Sequence, residues 1–268
     1  MSARVLLTGA SGGVGEATRA ALLARGARVV GIDRQPGARA SEQVLAADLR
    51  DPASVRRAVA EAIDLLGGLD VLVNNAGVAG PHDAGADPDA AALEMLDVNL
   101  LGTWRVTAAA LPALVASRGR VVNVASGLSF ANLPLAAAYC ASKRALAAYS
   151  DVLRLEYRGT VGVSTVYPMY MKTALHGTSE RAGLFVEGLL REETVDDAAR
   201  AIVRAAFGPL RRDVATTPMA RVELAVARHL PALADRVVGW RVRRLAGAGT
   251  FAGASVAAPL LARLRIAG

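Results

Sequence analysis

The apolar pentad Arg4–Thr8 (RVLLT) runs straight into the glycine-rich turn Gly9-Ala10-Ser11-Gly12-Gly13-Val14-Gly15, and a helical pattern, Gly13–Arg25, follows at once. No other feature constrains the fold as tightly. A strand that passes to a helix through several glycines makes a tight turn and lets the backbone come close to a bound group. It also aims free helix N–H groups and a positive dipole end at an anion. Asp33 closes the next strand candidate, Arg28–Ile32, 18 residues after Gly15. A carboxylate there accepts hydrogen bonds from both hydroxyls of an adenosine ribose and repels a 2′-phosphate, which favours NAD as cofactor. The neighbouring Arg34 is able to pair with a 2′-phosphate, so NADP stays possible.

Strand-length apolar runs alternate with helical patterns along the rest of the chain. Strands are expected at Val44–Ala47, Leu69–Asn74, Arg120–Ala125, Val161–Val166 and Val214–Thr216. Helices are expected at Pro52–Leu66, from about Pro88 to Ser117, at Ala136–Glu156 and at Thr194–Phe207. Runs such as VLVNN and RVVNV do not alternate, as expected of strands covered on both faces. The repeated β-then-α order predicts an α/β fold, a Rossmann-type doubly wound parallel sheet of about seven strands with helices on both faces. Residues 1–218 read as the dinucleotide-binding and catalytic unit. Residues 219–268 read as an arginine-rich helical extension of the same domain, broken by Pro231, Gly239, Gly247, Gly249 and Pro259.

Composition narrows the alternatives. A chain of 268 residues with 53% hydrophobic and 21% charged side chains buries one large core and is not a disordered polymer. Cys140 is the sole cysteine, which excludes an internal disulfide and the four-ligand zinc spacings, so no metal is expected. Met1-Ser2-Ala3-Arg4 leads directly into the first strand without the apolar stretch of a signal peptide, and a cytoplasmic location is expected. The uncharged stretch Leu245–Ala262 is broken by glycines and a proline, so no transmembrane segment is expected. The net charge of +7 is uneven: residues 1–210 balance 21 basic against 21 acidic groups, while residues 211–268 hold ten arginines against Asp213, Glu223 and Asp235. A uniform basic face is not supported, and no nucleic acid is expected as partner. The cluster Trp240, Arg241, Arg243, Arg244 fits peripheral contact with an anionic membrane. A solvated helix face or an oligomer contact fits it too, and is preferred.

Several polar groups stand at useful spacing. Tyr139 and Lys143 lie four apart in a helical run and so share one face. An ammonium beside a phenol favours the phenolate and lowers the tyrosine pKa toward working pH, which makes a usable general acid/base. Ser126, 13 residues before Tyr139, ends a strand and points into the crevice where open α/β sheets bind ligands. Asn99 sits within a helical pattern that disfavours asparagine, so a specific role is expected. A competing pattern, G-x-S-x-G at Gly9–Gly13, matches the nucleophile elbow of hydrolases. That elbow follows several strands, whereas Ser11 follows the first, and His82, His176 and His229 have no clear acid partner.

TGxxxGxG at Thr8–Gly15, NNAG at Asn74–Gly77, Asn99, Ser126 and YxxxK at Tyr139–Lys143 together resemble the short-chain dehydrogenase/reductase family, over roughly residues 3–175 and more weakly to about 217. The resemblance implies an NAD(P)-dependent oxidoreductase that interconverts a secondary alcohol and a ketone. It makes Tyr139 the acid/base, and Lys143 the residue that holds the nicotinamide ribose and lowers the tyrosine pKa. It makes Ser126 the hydrogen-bond donor to the substrate oxygen and Asn99 part of a proton relay. Cofactor contacts are implied for Gly9, Ser11, Gly13, Val14, Gly15, Asp33, Arg34, Asp48, Leu49, Asn75, Ala76, Gly77, Tyr139, Lys143, Pro168, Met171 and Thr173. Asn74 would tie the sheet together, and a homodimer or homotetramer is implied. The family's usual Pro-Gly after the sixth strand is Pro168-Met169 here, which puts the pocket shape near the hydride in question. The resemblance also implies a substrate lid at about 175–190; Leu175, Leu184, Phe185, Val186, Leu189 and Leu190 make it apolar, so a hydrophobic alcohol or ketone is the expected small-molecule partner. A non-catalytic dinucleotide-binding protein and a membrane-associated module are the alternatives.

Overall fold

The computed structural model describes residues 2–36, 43–173, 175, 177, 191–251 and 253–266. Seven strands form one sheet: β1 (Arg4–Thr8), β2 (Arg28–Asp33), β3 (Val44–Ala46), β4 (Val71–Asn74), β5 (Arg120–Val124), β6 (Gly162–Tyr167) and β7 (Asp213–Ala215). All neighbours are parallel, in the order 3-2-1-4-5-6-7. The order reverses between β1 and β4, and in such sheets the crevice at the strands' carboxyl ends at that point takes the ligand.

The strands lack alternation because both faces are covered. Val5 and Leu7 point to one side, where α1 (Gly13–Leu23) and α6 (Val195–Phe207) pack around Val73, Val122 and Ile202. Leu6 points to the other, where α2 (Pro52–Leu66), α4 (Thr103–Ser117) and α5 (Ala137–Glu156) pack around Leu72, Val121 and Leu114. Each such fully buried side chain contributes about 1.5–3 kcal/mol relative to exposure. Local chemistry sets the helix ends. Asp51 accepts the Ala53 N–H ahead of Pro52, and Gly67 closes α2 at φ 69°. Thr194 and Asp197 form a reciprocal capping box at the start of α6.

The run expected from Pro88 to Ser117 is not one regular helix. Asp89 caps α3 (Ala90–Leu96), a π-helical turn spans Asp97–Gly102, and α4 follows. By length and composition Ala90–Ser117 is apolar enough to cross a membrane. Here Met95, Val98, Val106, Ala110 and Leu114 bury one side of it in the domain, while Glu94, Asp97 and Arg105 form ion pairs. The extension forms α7 (Pro218–His229), α8 (Pro231–Gly247) and α9 (Ala258–Ile266). The expected lid at 175–190, with Leu184, Phe185, Val186, Leu189 and Leu190, lies outside the described residues apart from Leu175 and Gly177.

Candidate functional site

The glycine turn sits at the carboxyl end of β1, as its sequence requires. Gly9 has φ +66°, and a Cβ on it would lie 2.8 Å from the Ala76 Cα. A Cβ on Gly15 would lie 1.9 Å from the Gly9 carbonyl oxygen, so the first turn of α1 packs directly on the loop. No side chain caps α1 at Gly12, which leaves its first N–H groups available to an anion. Asp33 stands at the end of β2, its carboxylate accepting the Ser11 N–H at 2.9 Å and the Gln35 N–H at 3.2 Å. Arg34 is turned to Glu94 at 3.3 Å, and Glu94 also holds Arg50 at 3.0 Å. Asp48 is clasped by Arg50, whose hydrogen bonds hold its carboxyl below the usual range against a smaller opposing effect of burial.

Every residue expected to contact the cofactor lines one cavity of about 510 Å³, from Gly9, Ser11, Gly13, Val14 and Gly15 through Asp33, Arg34, Asp48 and Leu49 to Asn75, Ala76, Gly77, Pro168, Met171 and Thr173. Tyr139, Lys143 and Ser126 line the same cavity. The uncapped helix end, the glycine cradle and the carboxylate one strand away fit a dinucleotide. Among the described residues no histidine lines the cavity, which gives Ser11 no base there with which to work as a hydrolase nucleophile.

Tyr139 and Lys143 rise from the first two turns of α5, both buried. The Lys143 ammonium donates to the Val124 carbonyl at 3.0 Å and stands 5.9 Å from the centre of the Tyr139 ring. Ser126, just past the end of β5, accepts the Leu128 N–H at 3.1 Å and lines the cavity together with the phenol. The lysine does not lower the tyrosine pKa as the spacing alone suggests. Burial pushes Tyr139 up to about 12, and the Ser126 hydrogen bond offsets this only in part. Burial likewise pulls Lys143 down to about 8. Desolvation outweighs the pairing because the ammonium is directed at a backbone carbonyl.

Asn99 does not line the cavity. It lies fully buried on the π turn, accepts the Val78 N–H at 2.8 Å and donates to the Val78 carbonyl at 2.9 Å and to the Ser142 hydroxyl at 3.0 Å. Ser142 in turn donates to the Tyr139 carbonyl at 2.8 Å, so Asn99 fixes α5 against the strand-end loop that carries Gly77. Asn74 donates to Asn123 and Thr107, both at 2.9 Å, which ties β4 to β5 and α4.

The Pro168-Met169 segment keeps an ordinary backbone: among the described non-glycine residues only Arg118 and Leu135 have positive φ. The Met169 side chain lies over Gly127, where a Cβ would come within 2.4 Å of its sulfur. A glycine lost at 169 is thus matched by one at 127. Sequence reasoning missed Glu193. This buried carboxylate accepts the Met169 N–H at 3.1 Å, the Thr216 hydroxyl at 2.5 Å and the Thr217 hydroxyl at 2.9 Å, while its own N–H donates to the Tyr170 carbonyl at 2.8 Å. It joins the cavity loop after β6 to the end of β7 and the start of α7.

The far end of the cavity is apolar, and the extension builds part of it. Val242 of α8, Phe251 of the turn that follows it, and Leu260 of α9 line the pocket with Leu128, Leu133 and Leu135. The extension is therefore more than a solvated face. Arg263 bolts α9 to Asp83 at 3.0 Å on the loop after β4.

Fold and cavity together define the class: a Rossmann protein built to hold a dinucleotide beside a buried tyrosine–lysine pair. The chain belongs to the short chain dehydrogenase family, whose model matches residues 3–182, and it is an NAD(P)-dependent oxidoreductase. It is 30% identical to the cattle (Bos taurus) dehydrogenase/reductase SDR family member 7B, over 91% of this chain and 82% of that protein. A short chain dehydrogenase from Burkholderia cenocepacia J2315 in complex with NADP superposes with TM-score 0.73 at 29% identity, covering 88% of this chain and 98% of that one. The 3-ketoacyl-(acyl-carrier-protein) reductase of Brucella melitensis complexed with NADH gives TM-score 0.69 at 26% identity, over 79% and 96% of the two chains.

Proposed function

We propose that the chain interconverts a secondary alcohol and a ketone on an apolar small molecule, with Tyr139 as the acid/base. The observation that carries this reading is that buried Tyr139, Lys143 and Ser126 line the same cavity as the glycine turn and the uncapped end of α1. The nicotinamide, when bound, supplies or accepts the hydride. In the reducing direction Tyr139 gives its proton to the carbonyl oxygen, and Ser126 donates a hydrogen bond that stabilises the charge developing there. Lys143, one turn further along α5 and anchored on the Val124 carbonyl, would hold the nicotinamide ribose beside the phenol. Asn99 acts through Ser142 and the loop at Val78, holding Tyr139 in place.

Asp33 at the ribose position, with Arg34 turned to Glu94, supports NAD over NADP. Leu133, Leu135, Val242 and Phe251 support a hydrophobic substrate. Leu101, Trp104, Val152 and Leu155 are exposed on the π turn, α4 and α5, and support a homo-oligomer formed through those helices. Tyr139→Phe tests the central claim. Turnover on a panel of apolar alcohols and ketones is expected to vanish while NADH still binds by fluorescence titration; wild-type rates in the variant would refute the acid/base role.

A further inference from the structure

We propose that the outward face of α8 seats the protein on an anionic lipid surface. The helix is 17 residues long, yet Val242 is its single buried residue. Val238, Val242 and Leu245 pack inward with Leu133 and Phe251. The opposite side carries a second apolar stripe: Leu233, Val237 and Trp240, at i, i+4 and i+7, are 47%, 41% and 59% exposed. Arg244 continues the ridge and lies 5.6 Å over the Trp240 ring, and exposed Arg236 and Arg243 flank it. A helix packed on a soluble core normally turns a polar side to water. An apolar ridge bordered by arginines and a tryptophan is the pattern of a helix lying in a membrane interface.

Charge selects the occupant. Residues 218–247 hold six arginines against Glu223 and Asp235. Two-fold pairing of this ridge with a second copy would bring Arg236, Arg243 and Arg244 against their own kind, with Asp235 alone on α8 to offset them. Phosphate headgroups of anionic lipids neutralise the same arginines, and the indole is suited to the headgroup boundary. Val242, on the reverse of this helix, lines the cavity. Docking would therefore hold the apolar end of the pocket about one helix diameter, some 10 Å, from the lipid.

The test is vesicle flotation of the full chain. The protein is expected to float with vesicles of phosphatidylcholine plus phosphatidylglycerol, far less with phosphatidylcholine alone, and less as salt is raised. The triple substitution Leu233→Ser, Val237→Ser, Trp240→Ser is expected to cut vesicle binding roughly tenfold or more, with NADH titration unchanged. In a Trp104→Phe protein Trp240 is the sole indole, and its emission is expected to move to shorter wavelength on anionic vesicles. No flotation on those vesicles, flotation untouched by the triple substitution, or an emission that stays put would each overturn the proposal. So would a native mass that halves in the triple variant without any vesicle binding, since a second copy would then own the ridge.

Discussion

Glu193 is the most informative residue to perturb, because nothing about it is legible as function in the sequence and three separate segments converge on its carboxylate. In Glu193→Ala the Met169 N–H and the Thr216 and Thr217 hydroxyls lose their acceptor. Hydrogen bonds to a charged group contribute about 1.5–3 kcal/mol each, so three sum to roughly 5–9 kcal/mol before any offset. Removing the buried charge also removes its desolvation penalty, and the two hydroxyls rotate to find other partners. The net destabilisation works out at about 2–4 kcal/mol, a large share of the roughly 5–15 kcal/mol that holds a typical domain together. Glu193→Gln behaves differently. Its carbonyl oxygen keeps the Met169 and Thr216 bonds, and its amide N–H donates to the Thr217 hydroxyl, so the cost is about 1 kcal/mol or less. Urea unfolding with an unchanged slope reads the stability, and steady-state kinetics reads the site. Because the segment Pro168–Met171 lines the cavity, Glu193→Ala is expected to raise the KM for the dinucleotide and lower kcat, with Glu193→Gln restoring both. An alanine variant with wild-type midpoint and wild-type KM would show that the carboxylate positions nothing.

Three further outcomes are expected. Lys143 has its pKa pulled from 10.5 to about 8 in the folded chain, so between those values the unfolded chain binds more protons and stability rises with pH. From pH 8 to 10 the wild type is expected to gain about 2 kcal/mol relative to Lys143→Met in denaturant titrations, at 1.36 kcal/mol per pH unit, and parallel curves would sink this; Tyr139, raised to about 12, acts with the opposite sign only above pH 10. Gly127→Ala is expected to lower Tm by a few degrees, about 1–2 kcal/mol, because the added methyl meets the Met169 sulfur at 2.4 Å, and Met169→Gly in the same chain is expected to restore it. Failure of the second change to rescue the first would separate the two residues. Asp33→Asn is expected to shift the NADPH-to-NADH affinity ratio toward NADPH in fluorescence titrations, and an unchanged ratio would remove Asp33 from the ribose contact.

The sheet was readable because its strands are continuous apolar runs, and such runs have one use, burial between two helix layers. β1 and α2 match their expected bounds, the latter because Asp51, Pro52 and Gly67 mark its ends chemically. The π turn at Asn99 has no compositional signature, since a shift of hydrogen bonding by one residue leaves the apolar pattern intact. Glu193 was hidden because an acid next to the Thr194–Asp197 capping box reads as one more surface charge at a helix start. α8 carries apolar residues on opposite sides, so periodicity could not say whether Val242 or Trp240 faces the core. The tyrosine–lysine pair shows the same gap at the level of chemistry. A spacing of four residues puts the groups on one face of a helix, but protonation is decided by the medium around them. Burial leaves the phenol neutral and weakens the ammonium. Ala92, Met95 and Ala138, packed with Tyr139, make that medium, while Leu133, Val242 and Phe251 close the far, apolar end of the same cavity. The proton affinity of the pair is thus set by the burial of α5 against α3, a property of the packed fold that a four-residue spacing does not encode.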